Sequence, residues 1–128
     1  MKTLGLIGGT GWISTLEYYR LINQEVNRRL GGLEAARCLI HSFNYADIDR
    51  LNRAGDHRGV LSLLLEAGWG LAGSGADGLL LCANTLHMYA EDLQAQVSRP
   101  LIHIAVPTAE RIRERGFSRV GLLGTKST

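Results

Sequence analysis

Asp77-Gly78-Leu79-Leu80-Leu81-Cys82-Ala83-Asn84-Thr85-Leu86-His87 is the stretch on which the fold turns. Three successive leucines, with glycine before them and small polar residues after, mark a strand buried on both faces of a parallel sheet. Cys82 falls where that strand stops. Asn84 and Thr85 are good helix N-caps, and Leu86, Tyr89, Leu93 and Val97 then recur at helical spacing. A thiol is thus expected at the carboxyl end of a central strand, against the amino end of a helix over 84–97. In open α/β sheets that edge is where ligands bind. Helix-end N–H groups and the helix dipole favour a bound carboxylate there, and a thiol of lowered pKa.

Moving toward the amino terminus, 3–7 is a short apolar strand followed by the loop Gly8-Gly9-Thr10-Gly11. Ser14-Thr15-Leu16-Glu17 has the form of a capping box opening a helix, whose apolar stripe is Leu16, Tyr19, Ile22, Val26 and Leu30. Gly31-Gly32 ends it. A second strand is expected over 36–43, containing Cys38, and a short helix or structured loop over 45–54. Asp56 caps the next helix, with Val60, Leu64, Ala67 and Leu71 on its buried side and Gly75 as its C-terminal cap. Gly68, Gly70 and Gly73 inside that helix each cost about 1 kcal/mol relative to alanine, which close packing on the sheet would justify.

Toward the carboxyl terminus, Ser98-Arg99-Pro100 breaks the chain and a fourth strand is expected over 101–104. Pro107 suits the first turn of a helix that Gly116 ends. A fifth strand follows over 119–123, then the loop 124–128. Strands alternating with helices through short connections imply an α/β fold, a three-layer, doubly wound parallel sheet with helices on both faces.

Bulk composition narrows the function classes. Hydrophobic residues are 45% and charged residues 20% of the 128, as in an ordinary globular domain. The net charge of +2 gives no field for nucleic acid, and Arg111, Arg113 and Arg115 interleave with Glu110 and Glu114 as on a solvated helix face. No apolar run approaches membrane-spanning length, and Met1-Lys2-Thr3 leads directly into a strand without a signal-peptide pattern. Two cysteines are too few for a disulfide framework, so a reducing cytoplasm is the expected compartment.

Gly9-Thr10-Gly11 between strand and helix partly matches a dinucleotide fingerprint, but Ser14 stands in the place of the third glycine. Asn44, not an acid, follows the second strand, so a tight turn with a closely packed helix accounts for the loop. A lone strand cysteine is more often inert core than chemistry. Position favours Cys82 over Cys38, which lies mid-strand before Leu39 and Ile40. His87 and His103 make a Cys/His pair conceivable, or His87 serves packing. They lack the paired spacing of a zinc motif, so no metal is expected. His41 and His57 suggest nothing specific.

Together these pieces resemble a known family. Gly-Gly-x-x-Trp followed by Ser-Thr and Tyr-Tyr-Arg-Leu-Ile-Asn, then Cys82-Ala83-Asn84-Thr85-Leu86-His87, Pro-Leu-Ile-His-Ile-Ala and Gly-Leu-Leu-Gly-Thr-Lys, is similar to the aspartate/glutamate racemases in order along the whole chain. The resemblance implies a flavodoxin-like, aspartate-racemase-type domain and an enzyme that needs no metal or pyridoxal phosphate, hence no cofactor. Members set two such domains across a cleft, each supplying one cysteine, so that one thiolate takes an α-proton while the opposite thiol protonates the other face. Carried onto this chain, Cys82 is the first catalytic cysteine, and Asn84 and Thr85 hold the substrate α-carboxylate. Thr10 lines the substrate where relatives commonly carry methionine, Asn52 makes a polar substrate contact, and Thr125 begins the facing domain's contribution.

The resemblance further implies that residues 1–117 form the first racemase-type domain and 118–128 the opening strand and loop of a second one. The expected function is racemisation of aspartate, glutamate or a wider range of amino acids, with this chain supplying one half and inactive alone. Its partner is a small-molecule amino acid, and a cleft face left uncovered predicts a homo-oligomer. The competing readings are a non-catalytic amino-acid-binding module and Cys82-based thiol chemistry.

Overall fold

The structure is a computed structural model, and residues 1–124 are described. Strands β1 (Thr3–Gly8), β2 (Arg37–Ser42), β3 (Gly78–Leu81) and β4 (Leu101–Ile102) form one sheet, in the order β2-β1-β3-β4, with every pairing parallel. Helices α1 (Trp12–Leu30), α2 (Tyr45–Arg53), α3 (His57–Gly73), α4 (Ala90–Gln96) and α5 (Ala105–Glu114) connect and flank them. A 3-10 turn over Thr85–Tyr89 precedes α4.

Side-chain alternation along the strands separates the layers. Ile7, Leu79 and Leu81 are fully buried in a cluster with Val60, Leu64 and Leu71 of α3 and with Leu93. A side chain added at Gly5 would strike Leu71, Ala76 and Leu79, so Gly5 shares that face. Gly8, one strand period beyond Leu6, presses instead against Thr15 of α1. Thus α3 covers one face and α1 the other, the doubly wound arrangement expected. Asp77 joins the entries of β1 and β3, accepting from Thr3 N–H at 2.7 Å while its own N–H donates to Thr3 O at 2.8 Å.

Several local expectations hold. Asp56 caps α3 through a side-chain oxygen that accepts from Gly59 N–H. Asn44, not foreseen as a cap, does the same for α2 with Ala46 N–H. Gly75 takes φ +96° just past α3, letting Ala76 N–H reach back to Leu71 O at 3.0 Å.

Others are corrected. Helix α1 begins at Trp12, so Ser14 lies inside its first turn, and Glu17 pairs with Arg20 instead of completing a capping box. The sheet-facing stripe of α1 is Thr15, Tyr18, Ile22 and Val26; Leu16 and Tyr19, with Trp12, form a second stripe that is largely exposed. Strand β4 ends at Ile102, leaving His103 in the connection to α5. No strand forms over 119–123; Val120, Leu122 and Leu123 are exposed and pair with none of the four strands. Of Gly68, Gly70 and Gly73, only Gly68 is closely packed, against Val97 and Leu93, while Gly70 and Gly73 face open space.

That difference is testable. Gly70→Ala should stabilise the chain by about 0.5–1 kcal/mol through helix propensity alone. Gly8→Ala, which forces a methyl against buried Thr15, should destabilise by about 1–3 kcal/mol. Urea unfolding of the two variants against wild type measures both.

Candidate active site

The carboxyl ends of β1 and β3 carry the site, and the first turn of α1 ties them together. Gly9 N–H donates to Thr15 Oγ1 at 3.0 Å within the protein. Ser14 Oγ lies 2.6 Å from Cys82 O and 2.7 Å from Gly11 O, so its single proton is shared between the chain after β3 and the loop after β1. Cys82 N–H itself extends the ladder, donating to Ile7 O at 2.9 Å.

Between these strand ends and α2 lies a cavity of about 150 Å³. Thr10, Asn52 and Thr85, drawn from three separate elements, line it with Ala83, and Tyr45, Ile48 and Leu86 complete its wall. Three residues singled out in the sequence therefore converge. Thr10 Oγ1 is buried there, with no hydrogen-bond partner among the described residues.

Asn84 does not join them. It lines a second, larger groove of about 500 Å³ with His87, Met88, His103 and the inner side of α5. Thr125 lies outside the described residues. Tyr45, Ile48 and Leu86 escaped the sequence reading because they look like ordinary apolar helix positions. Ser14 was legible only as a cap.

Cys82 is buried on the α1 side of the sheet, 1% exposed. Burial, reinforced by Cys38, pushes its thiol up to about 12, and Cys82 in turn adds to the burial that raises Tyr18. This overturns the expected depression of its pKa. The helix that was to supply the dipole is broken: Asn84 has helical backbone angles and no side-chain cap bond, and a five-residue 3-10 turn precedes a seven-residue α4. The resting thiol is therefore protonated at neutral pH.

His87 explains the break. Carbonyl oxygens only accept, so its Nδ1 carries the proton shared between Ala83 O and Asn84 O, both at 3.1 Å. Its Nε2 then accepts from Ile104 N–H at 3.3 Å. With Ala83 O so engaged, the His87 backbone N–H bonds one residue nearer, to Asn84 O at 3.0 Å, which is 3-10 geometry. The imidazole lies against that of His103, ring centroids 4.6 Å apart and planes tilted by 59°. Burial holds its pKa below the usual value, opposed by the Asn84 carbonyl and aided by His103. His87 thus fastens the Cys82–Thr85 turn to the start of α5. At the far end of the turn, Tyr89 OH meets His57 Nδ1 at 2.9 Å. Among the described residues no three of His, Cys, Asp and Glu gather as a metal would require, and no helix is long and apolar enough to cross a membrane.

A parallel 2-1-3-4 sheet with a cysteine turn at its carboxyl edge defines an α/β domain whose candidate site lies at the switch between β1 and β3. Residues 7–128 match the family model described as Asp/Glu/hydantoin racemase, and the chain belongs to that family. It is 27% identical, over 98% of its length, to the broad specificity amino-acid racemase RacX of Bacillus subtilis, covering 55% of that protein. Among solved structures it is similar to a proposed Asp/Glu racemase from Yersinia pestis, with 44% identity, a TM-score of 0.93, and 98% of this chain on 55% of that one. An aspartate racemase homologue from Pyrococcus horikoshii OT3 gives 32% identity and a TM-score of 0.80, covering 91% of this chain and 50% of that one. The chain spans about half the length of these relatives.

Both shifted groups make stability depend on pH. His87, depressed in the fold, contributes stability that is present above the unfolded value of about 6.5 and is lost as pH falls toward its folded value. Cys82, raised in the fold, contributes stability that is present below its unfolded value and is lost as pH rises toward about 12. Thermal melts should show both flanks, the acid one weakened in His87→Gln and the alkaline one in Cys82→Ala. In the folded chain, iodoacetamide should label half-buried Cys38 before Cys82, as peptide mass spectrometry will show.

Proposed function

We propose that this chain carries the Cys82 half of a cofactor-independent amino-acid racemase of the cytoplasm. One observation carries this reading: Thr10, Asn52 and Thr85 meet in one cavity at the sheet edge, beside the Cys82 turn, in a member of the racemase family. The amino acid's α-carboxylate sits at the Cys82–Thr85 turn, held by Thr85, and its side chain points toward Thr10 and Asn52. A thiolate on the opposite face takes the α-proton. Cys82 gives up its S–H proton to the near face, leaving an inverted centre, a neutral thiol opposite and a thiolate at Cys82. Donors around the carboxylate stabilise the charge that accumulates between the two transfers.

Burial of Cys82 supports the donor role, since a thiol raised to about 12 holds its proton until the substrate arrives. The opposing thiol belongs to a second racemase-type domain. Aspartate and glutamate are the first substrates to test. The outward stripe of Trp12, Leu16 and Tyr19 supports self-association.

The test combines binding with chemistry in heavy water. Amino acids should shift the amide signals of Thr10, Asn52 and residues 82–87. The 128-residue chain alone should show no stereochemical inversion, and slow deuterium incorporation, if detected, should vanish in Cys82→Ala. Shifts confined to other surfaces would sink the assignment of the site. Efficient inversion by the chain alone would refute its half-site character.

A further inference from the structure

We propose that the Thr10–Asn52 cavity selects amino acids with uncharged, hydrogen-bonding side chains over aspartate and glutamate. This deepens the function proposed above and rests on the same placement of the α-carboxylate.

The argument is one of charge and hydrogen-bond supply. The cavity wall holds two hydroxyls, one carboxamide and one phenol, from Thr10, Thr85, Asn52 and Tyr45, set against Ile48 and Leu86. None of its lining residues is cationic. The nearest arginines in sequence, Arg50 and Arg53 on the same helix as Asn52, point into solvent and are paired with Asp47 at 3.2 Å and Asp49 at 2.8 Å. A side-chain carboxylate entering beside buried Ile48 would lose water without gaining a counter-charge, which costs more than placing a neutral group there. Thr10 Oγ1 adds a positive requirement. Buried and unpartnered among the described residues, it gains from a ligand atom that can donate to it or accept from it. A hydroxyl or carboxamide does either, and a ligand of that kind also matches the Asn52 carboxamide, which has a donor and an acceptor of its own. The cavity's volume of about 150 Å³ suits a side chain of a few heavy atoms.

L-asparagine and L-aspartate are nearly isosteric and differ in charge, so they isolate the effect. Nuclear magnetic resonance titration of the 128-residue chain at neutral pH should give a dissociation constant about tenfold lower for asparagine, a gap of about 1.4 kcal/mol. Both ligands should move Thr85, and asparagine should move Thr10 and Asn52 more strongly. Asn52→Arg, on an exposed helix position, should reverse the order by supplying the missing cation. Thr10→Val should narrow the preference of wild type for L-serine over L-alanine. Aspartate binding at these residues as tightly as asparagine would overturn the selectivity while leaving the amino-acid site intact. If neither ligand moved residues 82–87, the site assignment itself would fall, and the selectivity with it.

Discussion

The first turn of α1 is the constraint on which the site depends. Gly8 has no side chain, so Thr15 can lie against the end of β1 and take the Gly9 N–H on its hydroxyl. One residue earlier, Ser14 reaches the Cys82 carbonyl after β3. Two neighbouring hydroxyls thus fix the ends of two adjacent strands to one helix. Thr10 lies in the loop between those anchors, which is why it meets Thr85 across the strand ends. A bulkier residue at Gly8 would lift α1 from the sheet and move Thr10, Ser14 and Cys82 together.

Competition between two effects sets the state of the thiol. A helix dipole at the amino end is worth about 0.3–1 kcal/mol at most exposed sites and falls off within the first turn. Here the helical run is a 3-10 turn joined to a short α4. Burial acts in the opposite sense and raises the thiol to about 12. Even discounted by half for residual solvent screening, a rise of that size corresponds to about 2 kcal/mol. Desolvation wins, and Cys82 rests as an acid. His87 stands behind this outcome, because its imidazole takes the carbonyl that a regular α-turn would have used.

Much of this was legible in the residues. The Leu79–Leu81 run, flanked by Asp77-Gly78 and Cys82, does form the inner strand beside β1, and Asp56 and Gly75 act where their chemistry predicts. What was not legible depends on partners distant in sequence. Ser14 has the local pattern of a cap, but the Cys82 carbonyl competes for its hydroxyl from 68 positions away. Leu16 and Tyr19 fit an amphipathic stripe, yet periodicity cannot say that α1 carries two stripes and that the sheet covers only the one through Thr15 and Ile22. A strand over 119–123 needs a neighbour to pair with, and propensity alone supplies none.

Parity also decides what the two thiols of this chain can do together. Leu79 and Leu81 face α3, so Cys82, one residue further, faces α1. Leu39 and Phe43 pack against the α3-side core, which turns Cys38 toward α1 as well. Cys38 pairs in register with Leu4, while Cys82 follows Leu81, the partner of Ile7, so Cys38 also sits nearer the amino end of the sheet. Both thiols therefore project from one face of one sheet at different levels. Inversion at a tetrahedral carbon needs a proton removed from one side and returned on the other. Two groups on a single face of a rigid sheet cannot flank that carbon, whatever their pKa values. If Cys82 works as one of a pair, its counterpart must approach from beyond this sheet, across the open carboxyl edge where Thr10, Asn52 and Thr85 already converge.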